Sequence, residues 1–564
     1  MRKKKVLVHS NFCKAFTGFG KHKKNILRHL FNTGKYELIE LANGRHYQED
    51  AHNLLPWKCL GSLPSDRSTL AQIAQDPQSQ KLAGYGHFGI DKVISEIQPD
   101  VYIGIEDIWG LDFWKKPWWK TLTPMVWTTL DSLPILSQAF DGAKHTDRFH
   151  VWASFAEKAM KKQCPNVSTL HGSIDTSAFF PIKDRAELRA RNKIAPNDFI
   201  IGFVFRNQLR KSVPNLLDGF MEFRKQNPQA QAKLLLHTHW SEGWDIPRML
   251  EEKSIPTNLV LTTYFCPKCG QYEIKPFSGQ GLDCRCGAHK SQQTTNIAQG
   301  VNEIQLNEIY NLMDVYVHPF TSGGQEIPIQ EAKLCELITL VTDYSCGEDH
   351  CTPESGGFPL EWAEYREPGT QFIKASTYPS SIAKQLKKVF LMKPDKRKKM
   401  GQKARQFVID NYSIEVVGKQ LEEILDAAPL VEDSAWEEVI NGESKPVTIM
   451  DVLDKDDKGR RILIAIPEAL SDIILINSLI SNIKKNYPEY NIYFATEPSL
   501  FSAIDSHPDI HKLIPFHPFF ENSLEMEGTS EKEGLFEIVY VPYITTQRNP
   551  CYTHNGVDKN IFDD

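Results

Sequence analysis

The segment Phe320-Thr321-Ser322-Gly323-Gly324-Gln325-Glu326-Ile327-Pro328-Ile329-Gln330-Glu331-Ala332 combines residue types suited to holding a phosphorylated sugar. It follows the buried-strand pattern Asp314-Val315-Tyr316-Val317-His318-Pro319. A glycine pair at a strand end, then Pro in the first turn of a helix, leaves backbone N–H groups facing a cleft, where they bind phosphate. Glu326 and Glu331 stand at the same helix start, and their carboxylates would repel phosphate but suit the hydroxyls of a ribose or a hexose. The combination points to a sugar nucleotide. The plainer alternative is an ordinary strand-loop-helix whose acidic residues complement the helix dipole.

Asp-Val-Tyr-Val-His-Pro followed by Gly-Gly-Gln-Glu-Ile-Pro-Ile-Gln-Glu-Ala resembles the donor-site signature E-G-F-G-x-x-x-x-E-A of retaining GT-B glycosyltransferases of the family-4 type. The resemblance implies that Glu331 binds the donor ribose. Gly323 stands where the family has its first Glu and Glu326 where it has its second Gly, so the sugar-contacting role falls to Glu326 or to the backbone of Gly323 and Gly324.

Other segments come in the family's order. Lys5-Val6-Leu7-Val8-His9-Ser10 reads as a first buried strand, and the glycine-rich loop Thr17-Gly18-Phe19-Gly20-Lys21 opens a helix with apolar Ile26, Leu27 and Leu30. Leu170-His171-Gly172-Ser173-Ile174-Asp175, continuing to Phe179-Phe180-Pro181, resembles the linker between two Rossmann halves. The run Phe199-Ile200-Ile201-Gly202-Phe203-Val204-Phe205 starts the second half, with Arg206 and Lys211 at its mouth matching the family's R-x-x-x-x-K pair. Fixed cations in a water-poor cleft stabilise a departing nucleoside diphosphate, Arg206 by its fork and Lys211 as a point charge. Solvated loop cations are the ordinary alternative. Gly18 and Gly20 are expected to share the donor's sugar and phosphates with Glu326.

On the acceptor side, Thr123-Pro124-Met125-Val126-Trp127-Thr128-Thr129-Leu130-Asp131 resembles a strand that in many family members ends in a catalytic-site His. Asp131 holds that place here, either to accept a hydrogen bond from an acceptor hydroxyl and assist its proton loss or to cap a turn. Glu106 and Asp107, after the run Val101-Tyr102-Ile103-Gly104-Ile105, form a second acidic pair at a strand end.

Cys266-Pro267-Lys268-Cys269-Gly270 and Cys284-Arg285-Cys286-Gly287 supply two thiolate turns, each followed by Gly, a pattern suited to structural tetrahedral zinc. The second pair is C-x-C, so His289 is a candidate to replace one thiol. A redox pair and free loop cysteines are the alternatives. Such a ribbon, interrupting the second Rossmann half, either staples a loop lacking its own core or touches nucleic acid or protein.

The chain of 564 residues is 41% hydrophobic and 24% charged, ordinary soluble composition with room for three or four units. The expected class is α/β, a GT-B fold of two Rossmann-like domains with a zinc-ribbon insertion and an extra C-terminal α/β unit. The expected divisions are 1–178 (acceptor half), 179–395 (donor half, ribbon at 264–290), 396–427 (closing helices), 428–460 (acidic linker) and 461–564. The last begins with Arg461-Ile462-Leu463-Ile464-Ala465-Ile466 and, with Ser471-Asp472 and Tyr487-Pro488, resembles part of a heptosyltransferase-type Rossmann unit, read as serving acceptor binding or assembly. No membrane span or signal peptide is read, and eleven cysteines then favour a reducing cytoplasm. A net charge of −6 gives no general attraction to nucleic acid. The expected activity is sugar transfer from a nucleoside-diphosphate sugar to a hydroxyl of a glycan precursor or of a hydroxymethylated base in phage-type DNA. A silent sugar-nucleotide-binding or scaffold protein is the other class.

Overall fold

A computed structural model describes residues 2–15, 17–296, 299–441, 453, 460–466, 470–517, 520, 526–529, 532–542, 551–554 and 557–560. The chain forms two compact units, Met1–Ile440 and Asn441–Asp564.

The first unit contains two lobes, each built on a largely parallel sheet. In the first lobe, β1 (Lys4–Asn11), β2 (Tyr36–His46), β3 (Lys58–Leu63), β4 (Val101–Asp107), β5 (Thr123–Thr129), β6 (Arg148–Val151) and β7 (Ser168–Thr169) lie in the order β3-β2-β1-β4-β5-β6-β7. Every pairing is parallel. Val6, Leu7 and Val8 are fully buried, as a parallel sheet covered on both faces requires. The helix Gly18–Thr33 then crosses back over the sheet. Its start is capped by Thr17, whose side chain accepts the Gly20 N–H at 3.0 Å, and its stripe of Ile26, Leu27 and Leu30 is buried.

The second lobe repeats the plan with β8 (Phe199–Val204), β9 (Ala232–His237), β10 (Val260–Phe265), β13 (Val315–His318), β14 (Thr339–Thr342) and β15 (Gly357–Leu360), in the order β10-β9-β8-β13-β14-β15. Between β10 and β13 the inserted strands β11 (Tyr272–Pro276) and β12 (Gln293–Thr294) both pair antiparallel with β10. Both lobes thus have the doubly wound order, reversing between β1 and β4 and between β8 and β13, and ligands bind such sheets outside the carboxyl ends of the strands at that reversal.

The chain leaves the first lobe through His171, Gly172 and Ser173 and returns through the helices Pro394–Tyr412 and Ile414–Ala427, with Ile174 pairing in parallel with Ser413 at the crossing. Val417, Leu421 and Leu425 of the second helix join the first lobe's core. The two helices are divided at Ser413, which caps the second one.

The stretch 428–460, expected to be an irregular linker, differs in its first part. A helix Asp433–Asn441 follows the core, with Trp436 fully buried, and Val431 is held by its N–H to Asp100 (2.7 Å) and by Arg2 to its carbonyl (2.6 Å). One buried Trp and a tethered backbone outweigh the acidic composition that suggested a linker. Residues 442–452 and 454–459 of that stretch lie outside the described residues.

The second unit has a parallel sheet with the spatial order Ile510–Pro515, Tyr490–Thr496, Arg460–Ala465, Ile538–Tyr540. The helix Leu470–Asn486 packs Ile473, Ile476 and Ile480 against it, forming the βαβ start expected at 461. Among the described residues no helix is long and apolar enough to cross a membrane.

Candidate donor cleft and metal centre

The loop after β8 and the end of β13 meet at the second lobe's reversal point. Lys211 is buried there, its Nζ donating to Glu326 Oε2 and lying 3.4 Å from His318 Nε2. Arg210 donates from Nη1 to Glu326 Oε1 and to the Ser322 carbonyl at 3.3 Å. His318 Nε2 lies 3.1 Å from Glu326 Oε2. Glu326, just ahead of the helix Ile327–Leu334, is thus gripped by two cations and an imidazole.

Arg206, expected beside Lys211, stands exposed at the start of the loop, and the guanidinium paired with Glu326 belongs to Arg210. The cause is the turn between them. Asn207 donates to the carbonyls of His239 (3.1 Å) and Trp244 (2.8 Å), and the Lys211 N–H closes on the Gln208 carbonyl (2.9 Å).

Burial pushes the Lys211 ammonium down to about 8, against the pull of Glu326. Burial would raise Glu326, but Arg210 and Lys211 together hold it well below the usual carboxylate range. Burial also takes His318 down to about 4, so its ring is neutral at ordinary pH.

The glycine pair is used differently from the expectation of two free N–H groups. The Gly323 N–H donates to Ser345 Oγ at 3.1 Å. A Cβ at 323 would lie 2.6 Å from Glu326 Oε1 and 3.4 Å from Arg210 Nη1, so the Glu326 carboxylate fills the space that a side chain at 323 would take. A Cβ on Gly324 would lie 2.5 Å from Thr129 Cβ and 2.8 Å from Asp131 Oδ1, so here the two lobes touch backbone to side chain. Gly324→Ala is expected to cost about 1–3 kcal/mol of stability by overpacking this seat, read as a lower thermal unfolding midpoint. An unchanged midpoint would show that the lobes separate there freely.

Gly18 faces the same cleft, where a Cβ would lie 3.4 Å from Ile327 Cδ1 of the opposite lobe. Gly20 is buried and spent on the turn, where a Cβ would meet the Ala15 and Phe12 carbonyls at 2.6 and 2.9 Å. Its role here is therefore to shape the loop that presents Gly18.

Asp131 reaches solvent from the cleft, yet the protein around it raises its carboxyl, with Arg210 opposing and Glu326 reinforcing the rise. Beside it, Ser132 and Ser322 from opposite lobes share the buried Lys374 ammonium at 2.9 and 2.8 Å. Gln325 pairs with the Gly172 backbone in both directions, at 2.8 and 2.9 Å. These links join the lobes around the cleft. Glu331 is buried, accepts from Tyr310 Oη at 2.7 Å and faces Lys21 of the other lobe at 4.0 Å. Burial raises its carboxyl, opposed by Lys21. A small pocket opens at Glu331 between Lys21, Asn25, Ser173, Asp175 and Glu303.

The sequence reading missed Arg210, His318 and Lys374. Arg210 and His318 lay inside segments already singled out, but Lys374 carries no local signal, since its partners are far away in the chain.

In the insertion, the Sγ atoms of Cys266, Cys269, Cys284 and Cys286 all lie within 4.8 Å of one another. Cys266 and Cys286 are 4.0 Å apart, and Cys269 and Cys284 3.8 Å. A tetrahedron with zinc–sulfur bonds of about 2.3 Å has edges of about 3.8 Å, so the four thiols fit the ion. Ser291 Oγ lies 3.1 Å from Cys266 Sγ, and Gln292 Nε2 donates to Cys284 Sγ at 3.7 Å, contacts that orient and support thiolates. His289 pairs instead with Asp283 at 2.7 Å and is exposed, outside the cluster.

No protein-family model matches the chain, and no curated protein matches its sequence. Solved structures do resemble it. Sucrose-phosphate synthase from Thermosynechococcus elongatus superposes with a TM-score of 0.54 at 12% identity, over 75% of this chain and 98% of that one. A glycosyltransferase from Rickettsia africae gives 0.50 at 12% identity, over 78% and 99%. HepE of Anabaena in complex with UDP and glucose gives 0.50 at 12% identity, over 75% and 100%. With two doubly wound lobes facing each other across a cleft, the chain has the GT-B fold.

Proposed function

We propose that this protein is a retaining glycosyltransferase of the family-4 type that moves a sugar from a nucleoside-diphosphate sugar to a hydroxyl acceptor. The observation that carries the reading is the buried Lys211, set beside Arg210 at the reversal point of the second lobe. A cationic pair at the strand ends of a doubly wound sheet is suited to a diphosphate. That HepE, of like fold, was solved with UDP and glucose supports the same class of ligand here.

In this reading Lys211 and Arg210 hold the diphosphate, with Arg206 meeting it from the cleft mouth. Glu331 binds the ribose. Gly18 and the backbone of Gly324 border the sugar. Glu326 acts behind the cations, keeping them charged and oriented. During transfer the bond between the anomeric carbon and the diphosphate oxygen breaks as a new one forms to the acceptor oxygen on the same face. Asp131 accepts the hydrogen bond of the acceptor hydroxyl, and its raised carboxyl suits proton exchange. The acceptor lobe is 1–178 and the donor lobe 179–395. The unit at 461–564 is assigned to acceptor binding or assembly.

Release of nucleoside diphosphate from a panel of sugar nucleotides tests the activity. Turnover with at least one donor is expected. Binding without turnover across the panel would instead identify a silent sugar-nucleotide-binding protein, and neither binding nor turnover would remove the reading altogether.

The four cysteines are assigned to structural zinc, which closes the ribbon and takes no part in chemistry. Elemental analysis of the purified chain is expected to give about one zinc per protein, lost in Cys269→Ser together with a lower unfolding midpoint. A metal-free wild type with an unchanged midpoint would refute this.

A further inference from the structure

We propose that the mouth of the first lobe, where Tyr85 and Trp109 stand beside Glu106 and Asp107, binds the pyranose ring of a carbohydrate acceptor. The inference rests on the glycosyltransferase reading above and adds the acceptor's chemical class to it.

The two rings are the starting point. Their centroids are 4.7 Å apart and their planes meet at 78°. Both are partly exposed, and neither joins the apolar clusters that form the cores of the described residues. Core packing therefore does not account for them. Trp109 belongs to the short turn Ile108–Gly110 directly after β4, at the first lobe's reversal point. A Cβ on Gly110 would lie 3.0 Å from the Tyr85 ring and 3.1 Å from Glu106 Cγ, so the absence of a side chain at 110 lets the ring lie against the carboxylate. The Lys81 ammonium lies 4.0 Å from the Trp109 ring centroid, on an exposed side chain. A sugar stacking on that face displaces the exposed lysine, and its polarised C–H face has the same electrostatic character as the ammonium it replaces.

A pyranose also presents a rim of hydroxyls that need fixed partners. Glu106 Oε2 is oriented by Asn11 (2.6 Å) and Asn43 (2.9 Å), and Asp107 Oδ1 accepts from Thr129 Oγ1 at 2.7 Å. Thr129 is the residue that Gly324 of the donor loop abuts, so a sugar on this platform would lie next to the donor sugar. Burial moves Glu106 up to about 7 and Asp107 up to about 6, so these carboxyls both donate and accept near neutrality. A hydroxymethylated base in DNA could stack on the same rings, but its phosphates would then crowd Glu106, Asp107 and Asp131. The acids favour a neutral polyol.

Saturation-transfer NMR on the full chain tests this with methyl α-glucoside, methyl β-galactoside, methyl α-mannoside and a 5-hydroxymethylcytosine oligonucleotide as probes. Saturation of at least one glycoside is expected, strongest at its axial ring protons, falling at least fivefold in Trp109→Ala and partly restored in Trp109→Phe. Thermal unfolding of each variant checks that it is folded, and Tyr85→Ala provides a second variant. The proposal is overturned if no glycoside is saturated, if Trp109→Ala and Tyr85→Ala leave the signal unchanged, or if only the oligonucleotide is saturated. Inorganic pyrophosphate titrated into the wild type reads the phosphate side alone. Its failure to bind counts against the donor reading, whereas loss of glycoside saturation alone counts against this one.

Discussion

Lys211→Ala is expected to lower kcat/KM for release of nucleoside diphosphate by about 100- to 1,000-fold, the usual effect of removing one preorganised group that stabilises transition-state charge. The ammonium is buried between Glu326 and His318, and the adjacent Arg210 is already engaged with the same carboxylate. Without it, one guanidinium faces one carboxylate, and little positive charge remains for a diphosphate. Arg210→Ala should cause a loss of similar size. Arg206→Ala, at an exposed position, should cost less than about tenfold, since an exposed cation contributes little. Breaking a buried ion pair from one side can itself destabilise by about 3–5 kcal/mol, so each variant needs its unfolding midpoint beside its kinetics. A folded Lys211→Ala enzyme with near wild-type turnover, alongside a crippled Arg206→Ala, would reverse the assignment.

The second large effect concerns Glu326. Lys211 is pushed down to about 8 by burial, and Glu326 is what keeps it from falling further. A lysine is charged below its pKa, so its attraction for diphosphate is present at lower pH and lost as pH rises through that value. Removing Glu326 has two opposed consequences. One negative charge near the phosphates disappears, which strengthens binding wherever Lys211 stays charged. The lysine also loses its partner and sheds its proton at a lower pH. Pyrophosphate affinity of Glu326→Gln is therefore expected to equal or exceed the wild type's near pH 6 and to fall below it near pH 8. The variant's loss of affinity with rising pH should therefore begin at a lower pH than the wild type's. Taking the ratio of variant to wild type at each pH cancels the ligand's own titration. Parallel profiles would show that Glu326 does not govern the charge of Lys211.

Much of the architecture was legible because buried parallel strands announce themselves. Lys5 to Ser10, Phe199 to Phe205 and Asp314 to Pro319 are short apolar runs closed by Gly, Pro or polar residues, and all three lie on the strands that flank a reversal point. The meeting of the four cysteines was equally plain, since their spacing within each pair is local. The choice between Arg206 and Arg210 was not. Spacing favoured the first, but the fold of Asn207 onto His239 and Trp244 decided for the second, and that tether spans the lobe. Glu326 was read as a sugar contact because its sequence position suggested an open cleft, whereas three neighbours enclose it. Tyr85 and Trp109 gave no local signal. Their association depends on a turn after β4 meeting the chain that precedes it, and no periodicity in either segment encodes that meeting.

The inserted ribbon has a consequence apart from any chemistry. Strand β10, Val-Leu-Thr-Thr-Tyr-Phe, would be the outermost strand of its sheet if β11 did not lie alongside it. In its place β11 offers the surroundings Glu273, Lys275 and Pro276, the charges and proline that discourage further strand addition. If the four cysteines hold the proposed zinc, a metal-starved chain whose insertion unravels would bare an apolar, hydrogen-bond-hungry border, and its earliest symptom should be self-association into particles that scatter light.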